Sequence, residues 1–405
     1  MNDGDMATNP LSVGIIGGGI GGLTAALALL RAGLDVHVYE QAARLSEVGA
    51  GVQVSPNASR VLHGLGLAGP LAATGVKPLA WHQRRWDDGR TLLRAPLAEA
   101  LEATFGFPHY QMHRADLLAA LAAAIPAERI HLGHRLVALA EHDDGVAARF
   151  AGGQRARLDA LVGADGIHST VRQRLFGPDR ARFTGCVAYR AVVPAERLRH
   201  LDLEVTAQIW MGPGGHFVHY FISGGRSVNF VAVLERAEWT RESWTDRGEI
   251  ADALAAFAGW HPQVTEIIGA AGETYVWALF DRPPLPRWSA GRVTLLGDAA
   301  HAMLPFMAQG AAQAMEDGAT LAAYLRRARP AEVPDALRRY QETRLPRTSR
   351  LQEMSAGNKT RFHLPDGPAQ RERDAQIAAG SQSWSLNALA WLYDHDAAEP
   401  APTRA

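Results

Sequence analysis

The sequence is poor in cysteine, in long apolar runs and in net charge, and each deficit excludes a class of protein. The single cysteine among 405 residues, Cys186, excludes a disulfide framework within the chain and suits a reducing cytoplasm, where we predict the protein to reside. No stretch reaches the roughly 18 consecutive apolar residues of a membrane-spanning helix. Lys and Arg number 41 and Asp and Glu 42, so neither nucleic acid nor an acidic membrane surface is an expected partner.

The segment after the first ten residues predicts a strand–helix–strand unit. LSVGIIGGG, from Leu11, is typical of a buried strand that ends in a glycine turn. IGGLTAALALLRAG predicts an apolar helix, and LDVHVYE predicts a second buried strand. Units of this kind build parallel sheets covered by helices. Residues 1–10 lack the apolar core of a signal peptide and are interpreted as a flexible tail.

Three glycines between the first strand and helix form the G-x-G-x-x-G pattern of dinucleotide-binding folds. Gly17 permits a tight turn, Gly19 lets a pyrophosphate approach the backbone, and Gly22 lets the helix pack on the strand. Free N–H groups at the start of the helix favour phosphate. Glu40 ends the next strand and could accept hydrogen bonds from a ribose. A second match, at residues 64–69, follows no predicted strand and is interpreted as a turn.

Two further acidic residues follow predicted buried strands. Asp165 lies in LVGADG and Asp298 in RVTLLGD, and ligands of open α/β sheets bind at the carboxyl ends of the strands. The plainer alternatives are an Asp-Gly turn for Asp165 and a helix N-cap for Asp298.

Between Phe183 and Ala278 the pattern changes to strand-like runs separated by glycine turns. These runs predict an antiparallel sheet inserted into the parallel α/β domain. A long charged helix pattern follows near the end of the chain, with an expected interruption at Pro346.

Taken in order, the motifs resemble those of the class A, single-component flavoprotein aromatic hydroxylases. The motifs that carry the resemblance are GGGIGG (17–22), EVGAGVQVSPNA (Glu47–Ala58), HRADL (His113–Leu117), GADG (163–166) and GDAAH (297–301). The resemblance covers the chain from Leu11 to about Asp396. Two residues depart from it, since Ala302 stands where the family usually has proline and Gly318 where it usually has alanine. Both are expected to loosen the local backbone.

The resemblance implies an α/β fold with a Rossmann-like FAD-binding domain, an inserted, mostly antiparallel substrate-binding sheet and a C-terminal helical region. The implied boundaries are 11–75, 99–182 and 279–345 for the FAD-binding domain, 76–98 and 183–278 for the substrate-binding domain, and 346–405 for the C-terminal segment. FAD would be held without a covalent bond. The implied FAD-binding residues are Gly17, Gly19 and Gly22 at the phosphates, Glu40 at the adenosine ribose, Arg114 near the ribityl chain and phosphates, Asp165 near the pyrophosphate, Asp298 at the ribityl chain, and Gly310 and Ala311 under the isoalloxazine.

The resemblance also implies the reaction. NADH or NADPH would bind transiently and reduce FAD, and dioxygen would then form a flavin C4a-hydroperoxide that hydroxylates an aromatic ring ortho or para to an existing hydroxyl. An electrophilic oxygen needs an electron-rich ring, so the expected substrate is a hydroxybenzoate of the salicylate or 3-hydroxybenzoate type. The alternatives are an N-heteroaromatic substrate such as a hydroxynicotinate, and a flavin-binding protein without turnover. The chain could form a homodimer.

The run GHFVHYFIS supplies the expected catalytic pair. Because side chains alternate along a strand, His216, Val218 and Tyr220 share one face. The 3-hydroxybenzoate 6-hydroxylases and 6-hydroxynicotinate 3-monooxygenases carry a similar H-x-x-x-Y, which contacts the substrate hydroxyl. We therefore predict that His216 accepts the phenolic proton and that Tyr220 helps to bind the substrate. The plainer alternative is a polar strand face at a domain boundary.

The remaining pocket candidates rest on position alone. Gln53, Gln309 and Pro305 are predicted to contact the substrate, although the hydroxynicotinate enzymes have histidine at the position of Gln53. His301 is expected to orient the flavin loop. The candidate pocket walls are Trp210, Met211, Met303, Phe306 and Met307. The histidine pairs His109/His113 and His131/His134 lack cysteine or carboxylate partners at ligand spacing, so no metal is predicted.

Overall fold

The computed structural model describes residues 10–45, 50–179, 181–237, 247–380 and 386–399. Residues 1–9 of the predicted tail (1–10), Glu47 at the start of the EVGAGVQVSPNA motif, and residues 400–405 lie outside these ranges.

The strands are numbered along the chain. They are β1 (Ser12–Ile16), β2 (Asp35–Tyr39), β3 (Gly51–Val54), β4 (Ala80–Arg85), β5 (Thr91–Pro96), β6 (Tyr110–His113), β7 (Ile130–His131), β8 (Leu136–His142), β9 (Gly145–Phe150), β10 (Arg155–Leu158), β11 (Ala160–Gly163), β12 (Arg182–Pro194), β13 (Ala207–Gly212), β14 (Gly215–Ile222), β15 (Ser227–Glu235), β16 (Arg247–Gly248), β17 (Thr274–Asp281) and β18 (Val293–Leu295).

The α-helices follow the same numbering. They are α1 (Ile20–Arg31), α2 (Pro56–Gly64), α3 (Ala68–Thr74), α4 (Ala98–Phe105), α5 (Arg114–Ala123), α6 (Thr170–Phe176), α7 (Ile250–Ala256), α8 (Pro262–Gly269), α9 (Asp298–His301), α10 (Gly310–Leu325), α11 (Val333–Phe362), α12 (Pro368–Ala378) and α13 (Leu386–Tyr393).

A parallel sheet forms the centre of the first layer. Its strand order is β7-β2-β1-β11-β18, and every neighbouring pair is parallel. Strands β11 and β18 are buried at every residue, which agrees with their mainly apolar sequences, ALVG and VTL. Ligands bind at the point where the order of a doubly wound sheet reverses, and here that point lies at the end of β1.

An eight-stranded sheet forms the second layer. Its order is β5-β4-β13-β14-β15-β12-β17-β16, and all neighbouring pairs are antiparallel except β4 and β13. Two separate segments of the chain supply it, residues 80–96 and 182–281. The predicted fold class, a parallel α/β domain with an inserted, mostly antiparallel sheet, is confirmed.

Helices α1 and α10 pack closely because one of them carries a glycine at the contact. A Cβ added at Gly318 would lie 2.9 Å from the Cα and N of Ala25. The departure from the family's alanine therefore permits a close approach of two backbones, a packing role that the sequence did not indicate.

Helix α11 continues through Pro346, so the predicted interruption does not occur. Proline removes one helical hydrogen bond and costs about 3 kcal/mol in a helix interior. Arg344 and Arg347, on the two sides of Pro346, each bind Glu316 on α10, at 2.5 and 2.7 Å, and so attach this part of α11 to α10. Within the described ranges, no helix combines the length and the apolarity needed to cross a bilayer.

Candidate active site

A cavity of about 350 Å³ is lined by loops at the carboxyl ends of the parallel strands and by one face of the eight-stranded sheet. We call the part formed by the loops the loop half; it includes Gly19, Ile20, Gly21, Arg114, Ala164, Gly166, Gly297, Asp298, Gly310 and Ala311. We call the part formed by strands β12 to β17 the sheet half; it includes Arg190, Ile209, His216, Val218, Tyr220, Val231, Val233, Trp277 and Leu279. A ligand in one half can therefore meet a ligand in the other.

The three glycines of the first loop have different roles. Gly17 has a φ of +112°, and a Cβ there would lie 2.4 Å from the carbonyl oxygen of Ala164. A Cβ at Gly22 would lie 2.0 Å from the carbonyl oxygen of Gly17. A Cβ at Gly19, which lines the cavity, would meet no protein atom within 4 Å. The chain itself needs the first and third glycines, whereas the second leaves space for a bound group.

Two helices begin at the cavity. Gly19 is the N-cap of α1 and Gln309 that of α10, and neither has a side-chain cap. Ile20 and Gly310, the first residues of these helices, line the cavity. Uncapped N–H groups and the helix dipole favour negative charge. The two helix starts thus fit a pyrophosphate and the electron-rich edge of a flavin.

Asp298 and Asp165, which both follow buried strands, differ in what their carboxylates do. Asp298 is exposed in the cavity, and among the described residues its carboxylate has no hydrogen-bond partner. The N-cap of α9 is Gly297, so the cap alternative for Asp298 is wrong. Asp165 instead accepts hydrogen bonds from the Ser169 hydroxyl at 2.5 Å and the Thr170 N–H at 2.7 Å. Burial raises the pKa of Asp165 against these bonds.

Glu40 contacts the glycine loop, whereas Arg114 lines the cavity. The Glu40 carboxylate accepts hydrogen bonds from the N–H groups of Gly18 and Ala42, both at 2.7 Å. It holds the loop in place and keeps acceptor capacity for a ribose, since a carboxylate has about four lone-pair sites. Arg114 begins α5 and lines the cavity.

Gln309 does not reach the cavity, contrary to the expectation that it contacts the substrate. Its amide nitrogen donates to the Ser55 hydroxyl at 2.9 Å. Its amide oxygen accepts from Asn57 and Gln313, both at 3.2 Å. The side chain is buried, and this network uses it to hold the start of α10.

Asp317 on α10 holds the GDAAH turn (297–301) in place through hydrogen bonds. The Asp317 carboxylate accepts from the Gly297 N–H at 2.9 Å, from His301 Nε2 at 2.6 Å and from Arg344 Nε at 2.7 Å. His301 thus orients the loop, as predicted, and it does not line the cavity. Burial alone would raise the pKa of Glu316, the neighbour of Asp317, but Arg344 and Arg347 lower that pKa to about 2. Burial also opposes a charge on Asp317, but His301 and Arg344 lower its pKa, so both carboxylates are charged at neutral pH.

His216, Val218 and Tyr220 all line the cavity, as the alternation along β14 predicts. Phe217, on the opposite face, lies in a hydrophobic core. His216 Nδ1 lies 2.7 Å from Nε2 of His363. Burial and the neighbouring His363 lower the pKa of His216 well below its usual value, so the ring is neutral at neutral pH and its unprotonated nitrogen can accept a hydrogen bond.

Tyr220 lies opposite Gly51. A Cβ at Gly51 would lie 2.6 Å from the Tyr220 hydroxyl, so the glycine leaves room for the ring. Burial raises the pKa of Tyr220 to about 12, although Arg190 opposes the shift. The hydroxyl is thus protonated at neutral pH and can donate a hydrogen bond into the cavity.

Arg190 and Trp277 line the cavity and are not among the residues predicted from the sequence. The Arg190 guanidinium lies 4.3 Å from the centre of the Trp277 ring, a cation–π contact that holds both side chains. The available signal was an isolated arginine within the apolar strand sequence GCVAYRAVVP. Arg190 places a positive charge in the sheet half, where it acts on Tyr220.

Other predicted pocket residues divide between the cavity and the core. Gln53, Pro305, Met303 and Phe306 line the cavity. Trp210, Met211 and Met307 lie in hydrophobic cores.

The two histidine pairs have ordinary structural contacts. His109 Nε2 lies 3.2 Å from the amide oxygen of Gln53, and His113 caps α5 by accepting from the Ala115 N–H. His131 stacks on Tyr39, with ring centres 5.0 Å apart.

Comparisons with known proteins agree with this geometry. Residues 10–355 match the family described as FAD binding domain. The chain belongs to this family. It is 44% identical over 393 residues to the 3-amino-4-hydroxybenzoate 2-monooxygenase of Streptomyces platensis, covering 97% of this chain and 98% of the relative. It is 37% identical over 349 residues to the 6-hydroxynicotinate 3-monooxygenase of Bordetella bronchiseptica, covering 85% and 91%.

A solved salicylate hydroxylase in complex with substrate superposes with a TM-score of 0.82 at 28% identity, covering 96% of each chain. The chain is thus an FAD-dependent aromatic monooxygenase, and the uncapped helix starts, the open space at Gly19 and the free Asp298 carboxylate fit its cofactor.

Proposed function

We propose that this monooxygenase uses NAD(P)H and dioxygen to hydroxylate a hydroxybenzoate on a ring carbon activated by an electron-donating substituent. The observation that carries the proposal is the cavity that joins the FAD-binding loops to Arg190, His216 and Tyr220. Bound FAD, once reduced, supplies the activation of dioxygen. The protein's residues bind the acid, orient its ring and exclude water.

Arg190 is the group that favours an acid. A guanidinium binds a carboxylate through two parallel hydrogen bonds, and the surrounding cavity lowers competition from water. The slot beside it is apolar, formed by Ile209, Val218 and Val231 among others, and suits a flat ring. A benzoate held by Arg190 would then lie against these side chains.

His216 and Tyr220 are the groups proposed to contact the ring's electron-donating substituent. Neutral His216 can accept a proton or hydrogen bond from the ring's donor substituent, while protonated Tyr220 can donate one. An electron-donating substituent directs an electrophilic oxygen to the ortho and para carbons.

The names of two relatives extend the predicted position of attack beyond the carbons ortho or para to a hydroxyl. Carbon 3 of 6-hydroxynicotinate is para to the hydroxyl, in agreement with the prediction. Carbon 2 of 3-amino-4-hydroxybenzoate is ortho to the amino group and meta to the hydroxyl. We therefore propose that the activating substituent is a hydroxyl or an amino group, and that 3-amino-4-hydroxybenzoate is the first substrate to test.

A hydroxynicotinate is the second candidate, supported by the relative that is 37% identical. Gln53, where those enzymes have histidine, argues against it. The cytoplasmic location and the homodimer stay predictions.

The test is a screen of the FAD-loaded protein with 3-amino-4-hydroxybenzoate, 3-hydroxybenzoate, salicylate and 6-hydroxynicotinate. Oxidation of NADH and of NADPH, hydrogen peroxide and incorporation of ¹⁸O from labelled dioxygen are measured. We expect at least one benzoate to stimulate NAD(P)H oxidation and to gain one labelled oxygen. A larger kcat/KM for 6-hydroxynicotinate would favour the second candidate. No labelled product from any of the four acids would contradict the proposal.

A further inference from the structure

A chain of three titratable side chains leads from the cavity to the surface. His216 Nδ1 lies 2.7 Å from His363 Nε2, and His363 Nδ1 lies 3.0 Å from a carboxylate oxygen of Glu235. His216 and His363 are only 3% and 5% exposed. The Glu235 side chain, at the end of β15, is 45% exposed. Glu235 is thus the member of the chain that water reaches.

The carboxylate fixes the direction of both hydrogen bonds. Glu235 can only accept, so Nδ1–H of His363 donates to it. In a neutral ring, Nε2 of His363 is then the acceptor, and Nδ1–H of His216 donates to it. This leaves a lone pair on Nε2 of His216, which has no partner among the described residues and belongs to a side chain that lines the cavity.

Aromatic rings pack against His216 and limit its contact with water. The rings of Phe306 and Phe362 meet His216 edge-on, with centres 4.9 and 5.3 Å away. Lys359 on α11, whose charge acts on His363, donates to the Thr184 carbonyl oxygen at 2.6 Å. A proton that reaches His216 therefore has His363 as its route out once substrate fills the cavity.

We propose that His216, His363 and Glu235 form a relay that carries the proton of the substrate hydroxyl from the cavity to solvent. The inference rests on the proposed function, because it requires a hydroxylated aromatic acid beside His216. His216 would be the catalytic residue that touches the substrate, and His363 and Glu235 would be positioning residues that act through it.

The proton transfers balance at every step. The substrate O–H proton moves to Nε2 of His216 as Nδ1–H of His216 passes to Nε2 of His363. Nδ1–H of His363 passes to the Glu235 carboxylate, which releases one proton to water. When the hydroxylated product takes up a proton, the same transfers run backwards and restore the starting tautomers.

The plainer alternative is that these bonds only tie α11 to the sheet. Glu235→Gln separates the two readings, because the amide oxygen can still accept from His363 but cannot take up a proton. Asp366→Asn is a matched control, since Asp366 is 46% exposed, lies three residues after His363 and pairs with Arg85 at 3.0 Å. Ionisation of bound 3-hydroxybenzoate, or of the acid in the screen that gives most product, is followed by stopped-flow absorbance in FAD-loaded protein without NAD(P)H.

We expect Glu235→Gln and His363→Gln to slow phenolate formation at least tenfold, with unchanged FAD content and melting temperature. Imidazole should restore the rate in His363→Ala. Wild-type rates in both glutamine variants would overturn the relay while leaving the function intact. Absence of ionisation and product in the wild type would instead count against the proposed function.

Histidine tautomers give a readout that needs no substrate. In ¹⁵N spectra of the FAD-loaded protein at neutral pH, we expect Nδ1–H on both His216 and His363, assigned from single-histidine variants. An Nε2–H tautomer on His363 would contradict the relay whatever the activity.

Discussion

The loop half and the sheet half of the cavity are built from different parts of the chain. The loop half consists mainly of backbone at three turns, Gly17–Gly22, 163–166 and 297–298, each at the end of a parallel strand. The sheet half consists of side chains from separate strands, among them Arg190, His216 and Trp277. A site made of backbone atoms is blocked by most added side chains but does not depend on particular functional groups. A site made of side chains can bind a different ligand after a single substitution. We therefore expect a substitution in one half to leave the function of the other half intact.

The largest effect should come from the glycines of the loop half. Gly22→Val places a side chain where even a Cβ would lie 2.0 Å from the Gly17 oxygen, so we expect loss of the folded protein. Gly19→Val should leave the apoprotein's melting temperature unchanged, because Gly19 has an extended backbone (φ −76°) and no protein atom near its Cβ. It should nevertheless abolish FAD retention. Normal FAD content in Gly19→Val would mean that the phosphate site is misplaced.

In the sheet half, His216→Asn should have the largest effect and leave the loop half intact. We expect normal FAD content and substrate-stimulated NAD(P)H oxidation, with product per NAD(P)H reduced and hydrogen peroxide raised. Loss of a general base typically costs about 10²–10⁴-fold. Because the folded-state pKa of His216 is lowered, coupling in the wild type should stay constant as the pH falls from 8 through 6.5 and decline only in more acidic buffer. Wild-type coupling in His216→Asn would make the histidine structural.

Asp298→Ala should act on the cofactor alone. Removing an exposed carboxylate that has no partner among the described residues costs the fold little. If Asp298 binds the ribityl chain, as we predict, the substitution leaves a ribityl hydroxyl without its acceptor. The affinity for FAD should fall by about 1–3 kcal/mol, with an unchanged KM for the aromatic acid. Equilibrium dialysis measures the affinity for FAD. An equal loss of affinity for FAD and for the aromatic acid would show that the two halves are coupled.

Tyr220→Phe should have the smallest effect. The ring that packs against Gly51 is kept and one hydrogen-bond donor is lost. The KM for the aromatic acid should therefore rise roughly fivefold, which corresponds to about 1 kcal/mol of binding free energy. FAD content and product per NAD(P)H should stay near wild type. A large loss of coupling would give Tyr220 a role in proton transfer.

The difference between the halves also explains how much the sequence could predict. Gly17, Gly19 and Gly22 belong to one contiguous loop, and strand alternation sufficed to bring His216 and Tyr220 to one face. Arg190 and His363 were missed because their contacts are set by sheet pairing and by α11; His363 meets His216 across 147 residues of sequence. Gln309 adjoins the loop in sequence, but a hydrogen-bond network turns its amide away from the cavity.

The central claim is that FAD and an aromatic acid occupy one cavity, with Arg190 holding the acid. The most direct test is a titration of the FAD-loaded protein with 3-amino-4-hydroxybenzoate in the absence of NAD(P)H, following the flavin absorption band. We expect a saturable change in the wild type and in the control Arg182→Gln, which removes an exposed arginine of the same strand that pairs with Asp281. In Arg190→Gln the FAD content should be normal and the titration should shift at least tenfold to higher concentration. Identical titrations for Arg190→Gln and the wild type, or binding without any change in the flavin band, would contradict the account.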